Sequence, residues 1–210
     1  APLTVCATDE ESRLHPSSVY GITKLNQEQL VMTVCASLGI AASALRFQNV
    51  YGPGQSLSNP YTGILSIFSK RILAGNEINI FEDGLESRDF VAIDDVVRAT
   101  VLALTSPHAD GEIFGIGSGV RTTVLEAART LCAEFGRQVP MTVSGAFRLG
   151  DIRHNFADLS KARKLLGFEP QVTFASGIGR FVEWVRSQPI TADAYERSLA
   201  ELREKGLMRG

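Results

Sequence analysis

Apolar and polar residues alternate along this chain with two periods, and the switches between them mark its elements. Leu30, Val31, Val34, Cys35 and Leu38 fall at helical spacing, which predicts a helix with an apolar face. It begins near Ser18 after Pro16, with Ser17 or Ser18 as its cap and Gly39 as its stop. The apolar run at 41–47 reads as a buried strand, and helical periodicity returns at 64–73 and stops at Gly75. A short strand at 77–81, a turn at Asp83-Gly84 and a strand at 88–93 follow. Asp94 reads as the cap of a helix through Val96, Val97, Thr100, Val101 and Leu104, ended by Pro107. A strand at 112–116 leads into Gly117-Ser118-Gly119, and Thr122 or Thr123 caps a helix to Gly136. Residues 139–143 extend again, and helices are expected at about 159–166 and 174–186. Residues 3–7 read as a strand end or loop, and 191–208 as a charged, exposed terminal helix.

Strand and helix in alternation argue for an α/β fold built on a mostly parallel sheet covered on both faces. The 210 residues suffice for one generous domain or for interleaved smaller ones. With 44% hydrophobic and 21% charged residues, the composition is that of an ordinary globular protein. A net charge of −2 leaves no basic footprint for nucleic acid. No apolar run is long enough to span a membrane and no signal peptide opens the chain, which points to the cytoplasm. Cys6, Cys35 and Cys132 are odd in number and widely spaced, as expected of reduced core thiols. His15, His108 and His154 show no metal-ligand spacing, so no metal is expected.

Candidate chemistry begins at Pro16-Ser17-Ser18-Val19-Tyr20-Gly21-Ile22-Thr23-Lys24. Tyr20 and Lys24 are four residues apart and so share one helix face. An ammonium beside a phenol favours release of the phenolic proton, which suits exchange with a substrate hydroxyl. Taken alone, the spacing is far more often that of a plain amphipathic helix face, and the case for chemistry comes from the rest of the chain. Asn49 stands just past a strand end, where an open parallel sheet places ligands. Phe81 ends a strand, where it can stack on a base or pack in a core. Arg88 directly precedes a strand, and Arg148 and Arg153 flank Asp151 in a loop. Arginines converging from separate loops suit a diphosphate, because each guanidinium pairs bidentately with phosphate oxygens.

The order of these stretches resembles the extended short-chain dehydrogenase/reductase family, in particular its NAD-dependent nucleotide-sugar epimerases and dehydratases. The matching runs are Pro-x-Ser-x-Tyr-Gly-x-Thr-Lys-x-x-x-Glu at 16–28 and Arg-Phe-x-Asn-Val-Tyr-Gly-Pro-Gly-Gln at 46–55. They continue with Asp-Gly-x-x-x-Arg-Asp-Phe-Val-x-Ile-Asp-Asp at 83–95 and Phe-Gly-Ile-Gly-Ser-Gly at 114–119. Arg-x-Gly-Asp at 148–151 and Ala-Asp-x-Ser-Lys-Ala-Arg-x-Leu-Leu-Gly-Phe-Glu-Pro at 157–170 complete the set. Residues 55–64 and 150–156 are also similar to bacterial enzymes assigned as dTDP-L-rhamnose 4-epimerases.

The resemblance implies the C-terminal part of a doubly wound, Rossmann-like parallel sheet interleaved with a small α/β substrate-binding domain. Residues 1–56 and 89–120 would belong to the NAD-binding domain, 57–88 and 121–188 to the nucleotide-sugar domain, and 189–210 to a tail. It implies Tyr20 as the catalytic acid/base, with Lys24 assisting it and bonding the nicotinamide ribose, and Phe47 flanking the nicotinamide. It places Asn49 against the sugar nucleotide, Asn79 and Phe81 around the base, and Arg88 and Arg148 on the diphosphate. Asp151 falls near the nucleotide ribose, and Ile64 and Leu65 on the helix that closes over the nucleotide. The implied activity is epimerisation of a dTDP- or UDP-linked sugar through a transient keto intermediate, in a homodimeric intact protein. The alternatives are a nucleotide-sugar 4,6-dehydratase and a non-catalytic dinucleotide sensor. The family's glycine-rich phosphate loop and its catalytic Ser or Thr do not occur in these residues, so the chain by itself is expected neither to bind NAD tightly nor to turn over. Ser66 stands where relatives often have proline, and Glu82 where they often have glycine.

Overall fold

The structure, a computed structural model, describes residues 5–57, 63–148, 151–189, 199–200, 203–206 and 208–209. In chain order its elements are α1 (Val19–Leu38), β1 (Ala44–Phe47), β2 (Asn49–Tyr51), α2 (Ile64–Ala74), β3 (Ile78–Ile80), β4 (Ser87–Arg88), β5 (Phe90–Ala92) and α3 (Ile93–Thr105). These are followed by β6 (Ile113–Ile116), β7 (Thr122–Thr123), α4 (Val124–Glu134), β8 (Met141–Val143), β9 (Phe147–Arg148), α5 (Ser160–Leu166), α6 (Phe174–Ser187) and β10 (Met208–Arg209). They form two compact units.

The first unit comprises Ala1–Val50, Asp89–Val120 and Asn155–Val172. In it β1 runs parallel to β6, from Ala44 opposite Ile113 to Phe47 opposite Ile116. Strand β2, whose first two residues belong to this unit, pairs with β5. Phe114 and Ile116 of β6 meet Ala99 and Ala103 of α3, Ala162 and Leu166 of α5, and Leu159 and Phe168 beside α5 in one buried cluster. Small alanines on the helix faces let the helices lie close to the larger side chains. Burying each large apolar side chain contributes about 1.5–3 kcal/mol.

The second unit comprises Tyr51–Arg88, Arg121–His154 and Thr173–Gly210. Strands β3 and β8 pair in parallel, while β4 with β7 and β9 with β10 pair antiparallel. Helix α4 packs on both α2 and α6, and Leu65, Phe68, Ile72, Leu131, Phe181 and Val185 are buried. A capping box starts α4: the Thr123 hydroxyl accepts the Glu126 N–H, and the Glu126 carboxylate accepts the Thr123 N–H.

Several expectations change in the structure. Segment 155–172 packs within the first unit rather than the second, because Leu159, Ala162, Leu166 and Phe168 complete the cluster around Phe114. Helix α1 buries none of its residues; Leu30, Val31, Val34 and Leu38 are exposed, so the expected apolar face is uncovered in this chain. Asp94 does not cap α3. Strand β5 runs straight into that helix, with Ala92 at the cap position and no side-chain cap bond, and Asp94 lies in the first turn, where the helix dipole favours a negative charge. Of the cysteines only Cys132 is buried, while Cys35 is half-buried and Cys6 exposed. The tail is not wholly exposed. Leu199 and Met208 are buried with Ala146, although most of 190–207 and the Leu3-Thr4 stretch lie outside the described residues. Among the described residues no helix is long and apolar enough to cross a membrane.

Candidate functional site

In the first unit, Ser18 starts α1 by accepting the Gly21 N–H on its hydroxyl at 3.1 Å. This places Tyr20 and Lys24 in the first two turns. The Lys24 Nζ lies 5.7 Å from the centroid of the Tyr20 ring, within cation–π range, and donates to Gln27 Oε1 at 3.2 Å. Tyr20 is 71% exposed, so its ring stands open to a ligand.

Polar contacts add to the partial packing of α1, whose Leu25, Met32 and Cys35 are half-buried. Arg46 of β1 donates to both oxygens of Glu28, at 2.7 Å through Nε and 2.8 Å through Nη2. Its Nη1 donates to the Glu10 carbonyl at 3.0 Å. The Glu10 carboxylate in turn accepts the Gly115 N–H of β6 at 2.6 Å. One network therefore joins the helix carrying Tyr20 to the strand that ends in Phe47.

Phe47 is 47% exposed at the carboxyl end of β1. Asn49 is held by its main chain, its N–H donating to the Asp89 carbonyl at 2.9 Å. The Asp89 side chain, unassigned by sequence reasoning, organises this end of the unit. Fully buried, it accepts the Ser118 N–H at 2.7 Å, the Ser118 hydroxyl at 2.6 Å, the Gly119 N–H at 2.9 Å and the Ala157 N–H at 3.1 Å. Charge-assisted bonds of this kind offset the desolvation of a buried carboxylate. Gly117 permits the approach, since a Cβ there would overlap the Asp89 carboxylate. The sequence signal was the run Gly117-Ser118-Gly119, whose purpose is evident only once Asp89 is seen against it.

In the second unit, Asn79 lies in β3 with its Oδ1 buried and without a hydrogen-bond partner among the described residues. Phe81, half-buried, packs against the cluster of Ala146, Leu199 and Met208. The Leu65 side chain is buried in the core of this unit, and Ile64 is half-buried at the start of α2. Arg148 is placed by its main chain, which pairs with Met208; its side chain lies outside the described residues.

Arg88 and Asp151 form an ion pair at 3.1 Å. Around it, segment 151–154 runs alongside β4. The Ser87 N–H donates to the Arg153 carbonyl at 2.9 Å, the Ser87 hydroxyl and His154 Nδ1 are 2.8 Å apart, and Arg88 Nη1 donates to the Arg153 carbonyl at 3.1 Å. Burial, reinforced by Arg153, Arg121 and Arg88, holds the His154 imidazole below the usual histidine range. The Arg153 guanidinium reaches back to Glu82 and Asp83. Its hydrogen bond to Asp83, together with the Leu85 N–H, holds the Asp83 carboxyl below the usual carboxylate range. Sequence reasoning also missed Glu86, a buried carboxyl whose Oε2 has no partner among the described residues. Its desolvation pushes it above the usual carboxylate range.

The sequence model of the NAD dependent epimerase/dehydratase family matches residues 4–117, more than half of the chain. The chain belongs to that family. Similar to it are the dTDP-L-rhamnose 4-epimerase of Burkholderia thailandensis, 44% identical over 173 residues, and the UDP-glucose 4-epimerase of Mycolicibacterium smegmatis, 35% identical over 181 residues. The matches cover 82% and 86% of this chain but 47% and 57% of those proteins, so the chain spans about half the length of these relatives. The crystal structure of the Thermotoga maritima UDP-glucose 4-epimerase with UDP-glucose superimposes with a TM-score of 0.78 at 37% identity, covering 88% of this chain and 58% of that one. The Bacillus cereus UDP-glucuronic acid 4-epimerase, in complex with UDP-glucuronic acid and NAD, gives 0.77 at 30% identity, covering 87% and 57%. These likenesses establish the Rossmann-like α/β fold of the family.

Proposed function

We propose that this chain is the part of an NAD-dependent nucleotide-sugar 4-epimerase that carries the proton-transfer pair and the nucleotide grip. The observation that carries the reading is the Lys24 ammonium 5.7 Å from the centroid of the exposed Tyr20 ring. In this reading Tyr20 takes the proton from a sugar hydroxyl and later returns it, while Lys24 supplies positive charge beside the phenolic oxygen and bonds the nicotinamide ribose. NAD would supply a hydride acceptor that gives the hydride back to the opposite face of the transient ketone. The open aromatic surfaces of Tyr20 and Phe47 fit a nicotinamide, with Phe47 flanking it. Asn49 contacts the sugar nucleotide.

The first unit would thus serve the cofactor and the proton, and the second the nucleotide. Asn79 offers a buried acceptor without a partner among the described residues, which suits the imide N–H common to uracil and thymine, and Phe81 encloses the base. Arg88 and Arg148 take the diphosphate, which requires the phosphate to compete with Asp151 for Arg88; Asp151 is then free to meet the ribose. Ile64 borders the nucleotide at the start of α2. The named activities of the Burkholderia and Mycolicibacterium relatives support a dTDP- or UDP-linked sugar as substrate and favour epimerisation over dehydration. The reading includes a homodimer, in keeping with the exposed apolar residues of α1.

The test is Tyr20→Phe in the intact enzyme. Interconversion of the 4-epimers should fall by about 10²-fold or more while nucleotide binding by calorimetry stays within about twofold. Unchanged turnover would overturn the proposal, and Lys24→Met should show the same separation of turnover from binding.

A further inference from the structure

Arg153 and Glu82 lie in the second unit, and neither has a role in the reading above. Glu82 is the one non-glycine residue with positive φ among the described residues, at 46°. That left-handed conformation is one an L side chain seldom adopts without outside support. Glu82 directly follows Phe81, so the backbone rotation there sets how the chain leaves the residue expected at the base. Arg153 supplies the support. Its guanidinium donates to the Glu82 carboxylate and, at 2.5 Å, to Asp83 Oδ2, fixing two successive side chains of the turn at once.

The same residue acts at the diphosphate end through its main chain. The Arg153 carbonyl accepts both the Ser87 N–H and Arg88 Nη1. The turn after Phe81 and the guanidinium of Arg88 are therefore fastened to one residue, the first by its side chain and the second by its carbonyl. Half-exposed ion pairs contribute little to global stability. A pair of that kind across a strained turn acts locally, by choosing one backbone conformation.

We propose that Arg153 is a positioning residue for nucleotide recognition: by clamping Glu82 in its left-handed conformation it couples the base-enclosing turn to Arg88. The proposal rests on the nucleotide reading of this unit and adds a cause for its affinity. It has a distinctive consequence. A glycine in place of Glu82 adopts the left-handed conformation without help, so Glu82→Gly should make Arg153 dispensable.

The test is a double-mutant cycle on this chain with Arg153→Ala, Glu82→Gly and their combination, read in two ways. Calorimetry with UDP and with dTDP should show Arg153→Ala weakening binding about tenfold when Glu82 is present and less than about twofold on the Glu82→Gly background, a coupling of ordinary size for groups in contact. Arg153→Lys, whose single ammonium reaches one carboxylate at a time, should restore part of the loss. In ligand-free protein, amide hydrogen exchange at Ser87 should accelerate on Arg153→Ala when Glu82 is present and stay unchanged on the Glu82→Gly background. Equal losses on both backgrounds would overturn the clamp, since Arg153 would then be touching the nucleotide or supporting the whole unit. No change on either background would overturn it too. Coupled exchange with no binding of either diphosphate by the unaltered chain would support the clamp and overturn only the nucleotide reading.

Discussion

The guanidinium of Arg46 takes both carboxylate oxygens of Glu28, at 2.7 and 2.8 Å, fastening β1 to the helix that carries Tyr20 and Lys24. Because α1 buries no residue fully and half-buries only Leu25, Met32 and Cys35 among its larger apolar side chains, this fork adds directional bonds to a lightly packed helix. Glu28→Gln keeps the shape of the side chain and loses the charge. It is expected to cost about 2 kcal/mol in urea unfolding, the usual worth of a hydrogen-bonded charged group. Arg46→Lys should fail to restore the full stability, since an ammonium cannot reproduce the planar fork.

Asp89→Asn should be among the most damaging single changes in the first unit. In either orientation the amide keeps one accepting oxygen but turns its NH2 toward N–H donors, Ser118 on one side or Gly119 and Ala157 on the other, which now converge on the two oxygens of a carboxylate. Removing one side of such a buried charged network costs about 3–5 kcal/mol, measurable by chemical denaturation. Gly117→Ala forces a Cβ into the same carboxylate and the Gln48 side chain, and should cost about 1–3 kcal/mol by overpacking.

His154 gives the second unit an acid-sensitive joint. Its imidazole is held below the usual histidine range by burial and by Arg153, Arg121 and Arg88. The unfolded chain therefore binds this proton at a higher pH than the folded one. The contribution is complete above about pH 6.5, the ordinary histidine value, and is lost as pH falls through the lower folded value. NMR titration of His154 should give a midpoint below that of an unfolded-chain histidine, and His154→Gln should flatten the stability profile between them. A midpoint at or above the ordinary value would refute this.

Glu86 has the opposite sign. Burial raises its carboxyl, and Glu82 and Asp83 add to the effect, so the folded protein keeps this proton to a higher pH than the unfolded chain. Stability attributable to Glu86 is complete below the ordinary carboxylate value and declines as pH rises through the folded one. Glu86→Gln should therefore raise the melting temperature at about pH 7 and change it little at about pH 4, near the ordinary value. Melting curves under the two conditions check it.

Exposure and burial divide the apolar residues sharply. In this 210-residue chain taken by itself, Leu30→Gln on the open face of α1 should change stability by less than about 0.5 kcal/mol, although sequence periodicity makes it look like a core position. Phe114→Ala, at the centre of the cluster shared by α3, α5 and β6, should cost about 3–5 kcal/mol. Urea titrations of the two variants side by side test the contrast.

Most elements were legible because their signals are local. Ser18 and Gly39 bound α1, and Thr123 with Glu126 starts α4, each through hydrogen bonds or backbone angles settled within a few residues. The expected cap at Asp94 failed for a reason no local pattern holds. Strand β5 continues directly into α3, and the neighbouring Asp95 carboxylate is instead drawn to the main chain of Gln171 and Val172, more than seventy residues away. The burial of Leu199 and Met208 beside Ala146 was hidden for the same reason.

The sequence by itself determined the helix face shared by Tyr20 and Lys24, the alternation of strands and helices, and the run of motifs that marks the family, because these depend on spacing along the chain. Only the tertiary structure decided that Asp89 is wrapped by the 117–119 loop, that α1 leaves its apolar face open, and that Arg153 holds the carboxylate of Glu82, whose backbone takes a conformation its side chain disfavours. Each of these depends on which distant groups share a desolvated space, and spacing along a chain does not specify that.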